Sequence, residues 1–104
     1  MIKFTTVKNI DGSIRRITVD GHSGFADSGE DIVCAAISST VWMTINGIEK
    51  QNLARLSYED RDGFVDCIVG EKFSDGADVL LNSLVMFVAE LSGQYEEFLK
   101  LSEE

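Results

Sequence analysis

Apolar and polar residues alternate in four short stretches of the chain, a pattern that predicts four β-strands. The first two, Ile2 to Lys8 and Ile14 to Asp20, flank an Asp-Gly turn and are expected to form a β-hairpin. The other two, Leu53 to Glu59 and Phe64 to Gly70, flank the turn Asp60 to Gly63. This second pair therefore predicts a second hairpin.

Each predicted hairpin is followed by a longer segment with a helical pattern. The first, about Asp31 to Lys50, carries no charge from Ile32 to Ile48, close to the minimum of roughly 17 residues for a membrane span. Serine, threonine and asparagine interrupt it, so we interpret it as a helix buried on more than one side by a sheet and by a second helix or partner subunit. Gly47 would mark its fraying end or a close packing point. In the second segment, Asp78 to Leu101, apolar residues recur at steps of three and four, which predicts another helix.

The resulting order, β-β-α-β-β-α, predicts an α+β fold with the helices packed on a mostly antiparallel sheet. A chain of 104 residues is long enough for one small domain with one core. No proline and no linker-like segment interrupts it. We therefore expect a single domain over residues 1–104.

Charge and the N-terminal residues indicate which binding partners and which compartment to expect. The formal net charge is -9, whereas a nucleic-acid-binding surface is basic, so we expect no direct nucleic-acid binding and favour a basic protein or peptide partner. The N-terminal residues alternate like a strand and lack the apolar core of a signal peptide, which indicates a cytoplasmic protein without membrane attachment. In that compartment the two cysteines, Cys34 and Cys67, are expected to be thiols rather than a disulfide.

The candidate chemistry lies in a glycine-rich stretch before the first helix. It contains Gly21, Gly24, Gly29 and the only histidine, His22, and it leads to Cys34 in or just after the first helical turn. Glycines permit a tight loop, so a histidine at a strand end and a thiol at a helix start can meet across it. A thiol becomes a strong nucleophile when a base takes its proton. The pair therefore predicts a histidine-activated cysteine nucleophile.

Two further residues are candidates for support. Asp31 is interpreted as a helix cap, as a group that orients His22, or as both. Ser38 follows Cys34 by four residues on the same helical face, where it could hydrogen-bond in the site. Structural interpretations stay open at this point, because a cysteine near a helix start is commonly a small buried residue and a lone histidine is commonly structural.

A metal site is the weaker interpretation of the same stretch. Four residues could contribute ligands: His22, Asp27, Glu30 and Cys34. They lack the paired cysteine or histidine spacing of protein zinc sites. We therefore expect no metal and no cofactor.

The stretch resembles the signature of the ribosomal-processing cysteine proteases, the Prp family. The similar motifs are Gly-His-Ser-Gly at 21–24 and Gly-Glu-Asp-Ile-Val-Cys-Ala-Ala-Ile-Ser at 29–38. The resemblance implies a homodimeric cysteine endopeptidase that trims the N-terminal extension of large-subunit ribosomal protein twenty-seven in some bacteria. It gives the histidine role to His22 and the nucleophile role to Cys34. It also suggests an aromatic substrate residue just before the cut.

Two functions from different classes remain. The first is a cysteine endopeptidase that processes a ribosomal protein. The second is a non-catalytic ribosome-assembly or ribosomal-protein-binding module, whose glycine-rich loop holds a basic segment. The first requires both His22 and Cys34 for chemistry, whereas in the second both are replaceable.

Overall fold

The computed structural model describes residues 1–21 and 28–104, and residues 28–30 by their backbone only. These ranges contain five strands and two helices in the order β-β-α-β-β-α-β. The strands are β1 Ile2–Lys8, β2 Ile14–Asp20, β3 Ala54–Arg61, β4 Phe64–Lys72 and β5 Leu99–Glu103. The helices are α1 Ser28–Lys50 and α2 Gly76–Gln94. The predicted α+β fold, with the helices on a mostly antiparallel sheet, is confirmed.

The strands form one sheet in the order β3-β4-β2-β1-β5. Both hairpins are antiparallel, as is the β2–β4 pair that joins them, whereas β5 runs parallel to β1. Successive side chains point to opposite faces of a sheet. Val19 of β2 and its partner Val65 of β4 thus lie on one face, where they are buried with residues of both helices. The core formed by the described residues lies between this face and the helix layer.

The predicted helix from Asp78 to Leu101 is wrong in its last part. α2 ends at Gln94, and Tyr95 leaves the helical conformation with φ -130°. The chain then enters β5, beside which the Ile2 N–H donates to the Phe98 carbonyl at 2.7 Å. The apolar spacing at this end of the chain fits a helix by itself. Pairing with β1 decides against the helix, because it gives the backbone of these residues hydrogen-bond partners in the sheet.

Helix α1, which carries no charge from Ile32 to Ile48, is packed on two sides, by the sheet and by α2. Thr44 is buried, and its hydroxyl donates to the Thr40 carbonyl at 2.8 Å, so the helix backbone satisfies this polar side chain. Gly47 is a close packing point rather than a frayed end. The helix continues to Lys50, and a Cβ at position 47 would lie 3.3 Å from Leu80 Cδ1.

In the described part of the chain, two helices are long and apolar enough to cross a membrane: Asp31–Lys50 and Gly76–Gln94. The core helix of a soluble protein passes the same test of length and composition. Both helices here supply buried side chains, such as Ile45 and Val88, to one core. Length and composition alone therefore do not identify a membrane span.

One end of the sheet gathers the elements that carry the predicted chemistry. β2 ends there at Asp20, which pairs with Lys3 on one side and with Phe64 on the other. The N-terminal half of α1 lies over this end, where Ile37 lines a small cavity with Val19 of β2. The β3–β4 turn, the start of β1 and the first half of α1 are thus neighbours.

Candidate active site

Cys34 lies at the border of the buried face of α1. Its neighbours Val33 and Ile37 are buried and fix this part of the helix, whereas Cys34 is half-buried. α1 begins at Ser28, so Cys34 is its seventh residue and lies in the second turn, just after the first turn as predicted. The favourable field of a helix N-terminus falls off within its first turn. Activation of this thiol therefore calls for a nearby base.

Ser38 and Asp31 lie one turn to either side of Cys34. Ser38 is half-buried and lines a cavity of ≈ 10 Å³ between α1 and the sheet. Asp31 is exposed. Residues three or four apart share one face of a helix, so the structure brings Asp31, Cys34 and Ser38 to one side of α1.

Gly21 anchors the backbone that leads to His22. Its N–H donates to the Gly63 carbonyl at 2.9 Å, which ties the end of β2 to the β3–β4 turn. Its φ is +95°, a conformation that favours glycine, and a Cβ there would overlap the Met1 carbonyl oxygen. Glycine is therefore required at this position for two separate reasons.

Three other predicted positions have different outcomes. His22 and Gly24 lie outside the described residues, so their roles stay predictions. The sequence predicts Gly29 in the loop, but it lies in the first turn of α1. Glycine is a poor helix former, by about 1 kcal/mol relative to alanine. This explains why the sequence pattern favoured a start near Asp31 over the observed start at Ser28.

The two cysteines have different environments. Cys67 on β4 is 3 % exposed, and burial raises the pKa of its thiol to about 11, with smaller contributions from the charges of Asp66 and Glu49. A thiol is a good nucleophile only as the thiolate. At neutral pH Cys67 is therefore a protonated thiol in the core, whereas Cys34 is partly accessible.

Acidic residues surround the β3–β4 turn at this end of the sheet. Asp60 and Asp62 are exposed there, and Arg61 pairs with Glu59 at 2.8 Å while lying 4.6 Å above the Phe64 ring. The charge of Arg61 is thus largely balanced, and the turn keeps a negative surplus. Across the described side chains, those of residues 1–21 and 31–104, no three His, Cys, Asp or Glu residues are grouped so that they could hold a metal ion.

Comparison with known proteins identifies the family. The family model described as Cysteine protease Prp matches residues 1–100. The chain belongs to the Prp cysteine protease family. This confirms the family resemblance and shows that the chain is a cysteine protease. The Ribosomal processing cysteine protease Prp of Staphylococcus aureus is 25% identical over 104 residues, which cover 98% of each protein.

Two solved structures of S. aureus Prp have the same fold as this Prp-family chain. The complex with a substrate peptide gives a TM-score of 0.92 at 23% identity. The complex with a covalently linked product peptide gives a TM-score of 0.89 at 24% identity. Both alignments cover 100% of each chain, so the fold likeness extends over the whole Prp domain.

Sequence analysis missed an aromatic pair that adjoins this Prp site. The rings of Trp42 on α1 and Tyr58 on β3 meet edge-on, with centroids 5.6 Å apart and an interplanar angle of 76°. Trp42 continues the four-residue spacing of Cys34 and Ser38, which the sequence does show. The sequence does not show that this border of α1 faces β3.

Proposed function

We propose that this protease removes the N-terminal extension of a basic bacterial large-subunit ribosomal protein, in the cytoplasm and as a homodimer. The relatives' name, Ribosomal processing cysteine protease Prp, supports the substrate class. The net charge of -9 supports encounter with a basic protein. The observation that carries the proposal is the different burial of the two cysteines of this cysteine protease. Cys34 is partly accessible and can act as the nucleophile, whereas Cys67 is buried.

In the proposed mechanism, His22 takes the thiol proton of Cys34 and the sulfur attacks the scissile carbonyl carbon. The imidazolium then gives its proton to the departing amine, which leaves the acyl part of the substrate on the sulfur as a thioester. Water, deprotonated by His22, hydrolyses the thioester and restores the thiol. Each turnover consumes one peptide bond and one water. His22 is the only histidine in the chain, which supports its assignment as the base.

Residues around this pair would position it. Gly21 anchors the backbone before the histidine, through its bond to the β3–β4 turn and its contact with the first residue. Ser38 and Asp31 lie within one turn of the nucleophile, where Ser38 would hydrogen-bond and Asp31 would orient the imidazole. Gly24 would let the chain between His22 and the start of α1 close over a peptide.

The test is an incubation of the purified protein with the organism's own ribosomal protein, followed by intact mass measurement. Wild type and Cys67→Ala should convert the substrate into two fragments at one junction. Cys34→Ala should leave it intact while giving the wild-type circular dichroism spectrum. An uncut substrate with folded wild type would contradict the proposal, and binding without cleavage would favour the non-catalytic module. Cleavage by Cys34→Ala at the wild-type rate would contradict the mechanism.

A further inference from the structure

Three half-buried residues form one border of α1: Cys34, Ser38 and Trp42. They follow one another at intervals of four, so they lie nearly in line along the helix. The contact between Trp42 and Tyr58 shows that this border faces β3, the strand at the edge of the sheet. A path therefore runs along α1 from the proposed nucleophile to the aromatic pair.

The outer half of β3 beside this border is left uncovered by the helices. Tyr58 and Asp60 alternate onto the helix side of the sheet, because their partners on β4 are the buried residues Cys67 and Val65. Both are nevertheless exposed, Tyr58 at 45%. Ser38, Trp42, Tyr58 and Asp60 thus form an open shelf between α1 and the sheet edge, which we call the aromatic shelf.

The shelf accepts an apolar group on its surface rather than in a deep pocket. The cavity below it, which Ser38 and Trp42 line with Val19 and Val65, measures ≈ 10 Å³, too small for a side chain. The accessible apolar area is the aromatic pair itself. Tryptophan and tyrosine rings bind apolar and aromatic side chains with little loss of conformational freedom.

Spacing along the helix fixes which substrate residue would reach the shelf. Trp42 follows Cys34 by eight residues, a distance of roughly 12 Å at 1.5 Å per helical residue. An extended peptide advances roughly 3.3 Å per residue, so this distance corresponds to roughly three to four residues. The acidic surplus at Asp60 and Asp62 beside the shelf favours basic residues in the same segment.

We propose that the aromatic shelf is a substrate subsite that binds a large apolar side chain three to four residues from the scissile bond. This inference rests on the proposed protease function and adds a specificity determinant to it. The occupant is an extended segment of the substrate with an apolar anchor and basic neighbours. Trp42 and Tyr58 contact that anchor, and neither takes part in the bond cleavage itself.

The first test uses the only tryptophan of the chain as a probe. Cys34→Ala is titrated with a synthetic peptide that spans the mapped cleavage junction, while tryptophan fluorescence is recorded. The peptide should shift the emission of Trp42. A second peptide, with the residues three and four positions from the junction replaced by glycine, should bind about tenfold more weakly. Equal affinity of the two peptides would overturn the subsite. Because both peptides are titrated into the same protein, a folding defect cannot explain that result.

The second test compares kcat/KM for two peptides. The long peptide includes the apolar anchor, whereas the short peptide ends two residues from the scissile bond on the anchor side. In wild type the long peptide should be favoured, and Tyr58→Ala should reduce that advantage about tenfold. Tyr58→Phe, which keeps the ring, should restore it. The matched control is Phe73→Ala, since Phe73 is also 45% exposed but lies between β4 and α2 at the other end of the sheet.

The outcomes separate the subsite from the protease function. If wild type cleaves both peptides through Cys34 and Tyr58→Ala keeps the wild-type preference, the subsite is wrong and the protease function stands. An equal effect of Phe73→Ala would also overturn the subsite. If wild type cleaves neither peptide nor the full ribosomal protein, the proposed function itself fails.

Discussion

Gly21 and Gly63 are joined by a backbone hydrogen bond of 2.9 Å, from the N–H of Gly21 to the carbonyl of Gly63. This bond connects the end of β2 to the β3–β4 turn. Both glycines have positive φ angles, +95° and +75°. The backbone before His22 is thus held between a turn and the first residue of the chain, which makes this junction a structural part of the site.

Gly21→Ala should therefore impair both stability and cleavage. The new Cβ would be strained at positive φ and would overlap the Met1 carbonyl oxygen, so the backbone must shift. We expect a loss of about 1–3 kcal/mol in the free energy of unfolding and a lower kcat, because His22 follows directly. Urea unfolding and peptide cleavage measure the two effects. The control is Gly12→Ala, which has φ +89° but nothing within 4 Å and should keep full kcat. Equal kcat of the two variants would contradict a positioning role for Gly21.

Cys67 should make stability sensitive to alkaline pH. Its folded-state pKa of about 11 lies above the ordinary thiol value of 9.0, so the protonated thiol favours the folded state. That contribution is complete below about pH 9 and is lost as the pH rises towards 11. Cys67→Ala should be less stable by about 1 kcal/mol at pH 7, but its stability should fall less between pH 9 and 11. Denaturant unfolding against pH measures this, with Cys34→Ala as the control that keeps the wild-type slope. Parallel curves for wild type and Cys67→Ala would refute it.

His22→Ala should slow alkylation of Cys34. In a Cys67→Ala background Cys34 is the only thiol that iodoacetamide can alkylate. The alkylation rate follows the fraction of Cys34 that is thiolate. Without the base, we expect the rate at pH 7 to fall about tenfold and the half-maximal rate to occur at higher pH. The rate measured from pH 5 to 10 tests this. Superimposed profiles with and without the histidine would show that His22 does not activate the thiol.

The helix layer should form the homodimer contact. Five of its apolar side chains are each more than a third exposed: Ile32, Met43, Val79, Met86 and Phe87. Two-fold pairing is the commonest assembly of soluble proteins and would cover them. Sedimentation should give twice the chain mass of 11.5 kDa, and Met86→Glu should shift the protein to monomer. Ile10→Glu, in the β1–β2 turn, is the control that should stay dimeric. A wild-type monomer at tens of micromolar would count against the dimer.

The fold was largely predictable where local pattern and turn chemistry agree. The bounds of β1 and β2 match the prediction, because buried residues alternate through Thr6 in β1 and at Ile17 and Val19 in β2, and the Asp11-Gly12 turn joins the two strands. A register shift between Val7 and Lys8 interrupts the pairing near the turn. β5 was missed because a five-residue strand gains its stability from pairing with β1. That pairing joins the two ends of the chain, and no local pattern reports it.

The site was predictable as a set of residues but less so as an arrangement. Family motifs placed Cys34 on the first helix, and the structure puts it there. The start of that helix was misjudged, because Gly29 disfavours helix locally while packing of the following turns stabilises it. The shelf was not predicted, because the contact of Trp42 with Tyr58 depends on how α1 lies on the sheet.

The central claim is that Cys34 is the nucleophile. Its most direct test is a peptide of the substrate sequence that ends in a chloromethyl ketone in place of the scissile bond, with the labelled residue located by tandem mass spectrometry. We expect one label per chain, on Cys34, in wild type and in Cys67→Ala, and none in Cys34→Ala. A label on Cys67, or labelling of Cys34→Ala at the wild-type rate, would contradict the claim.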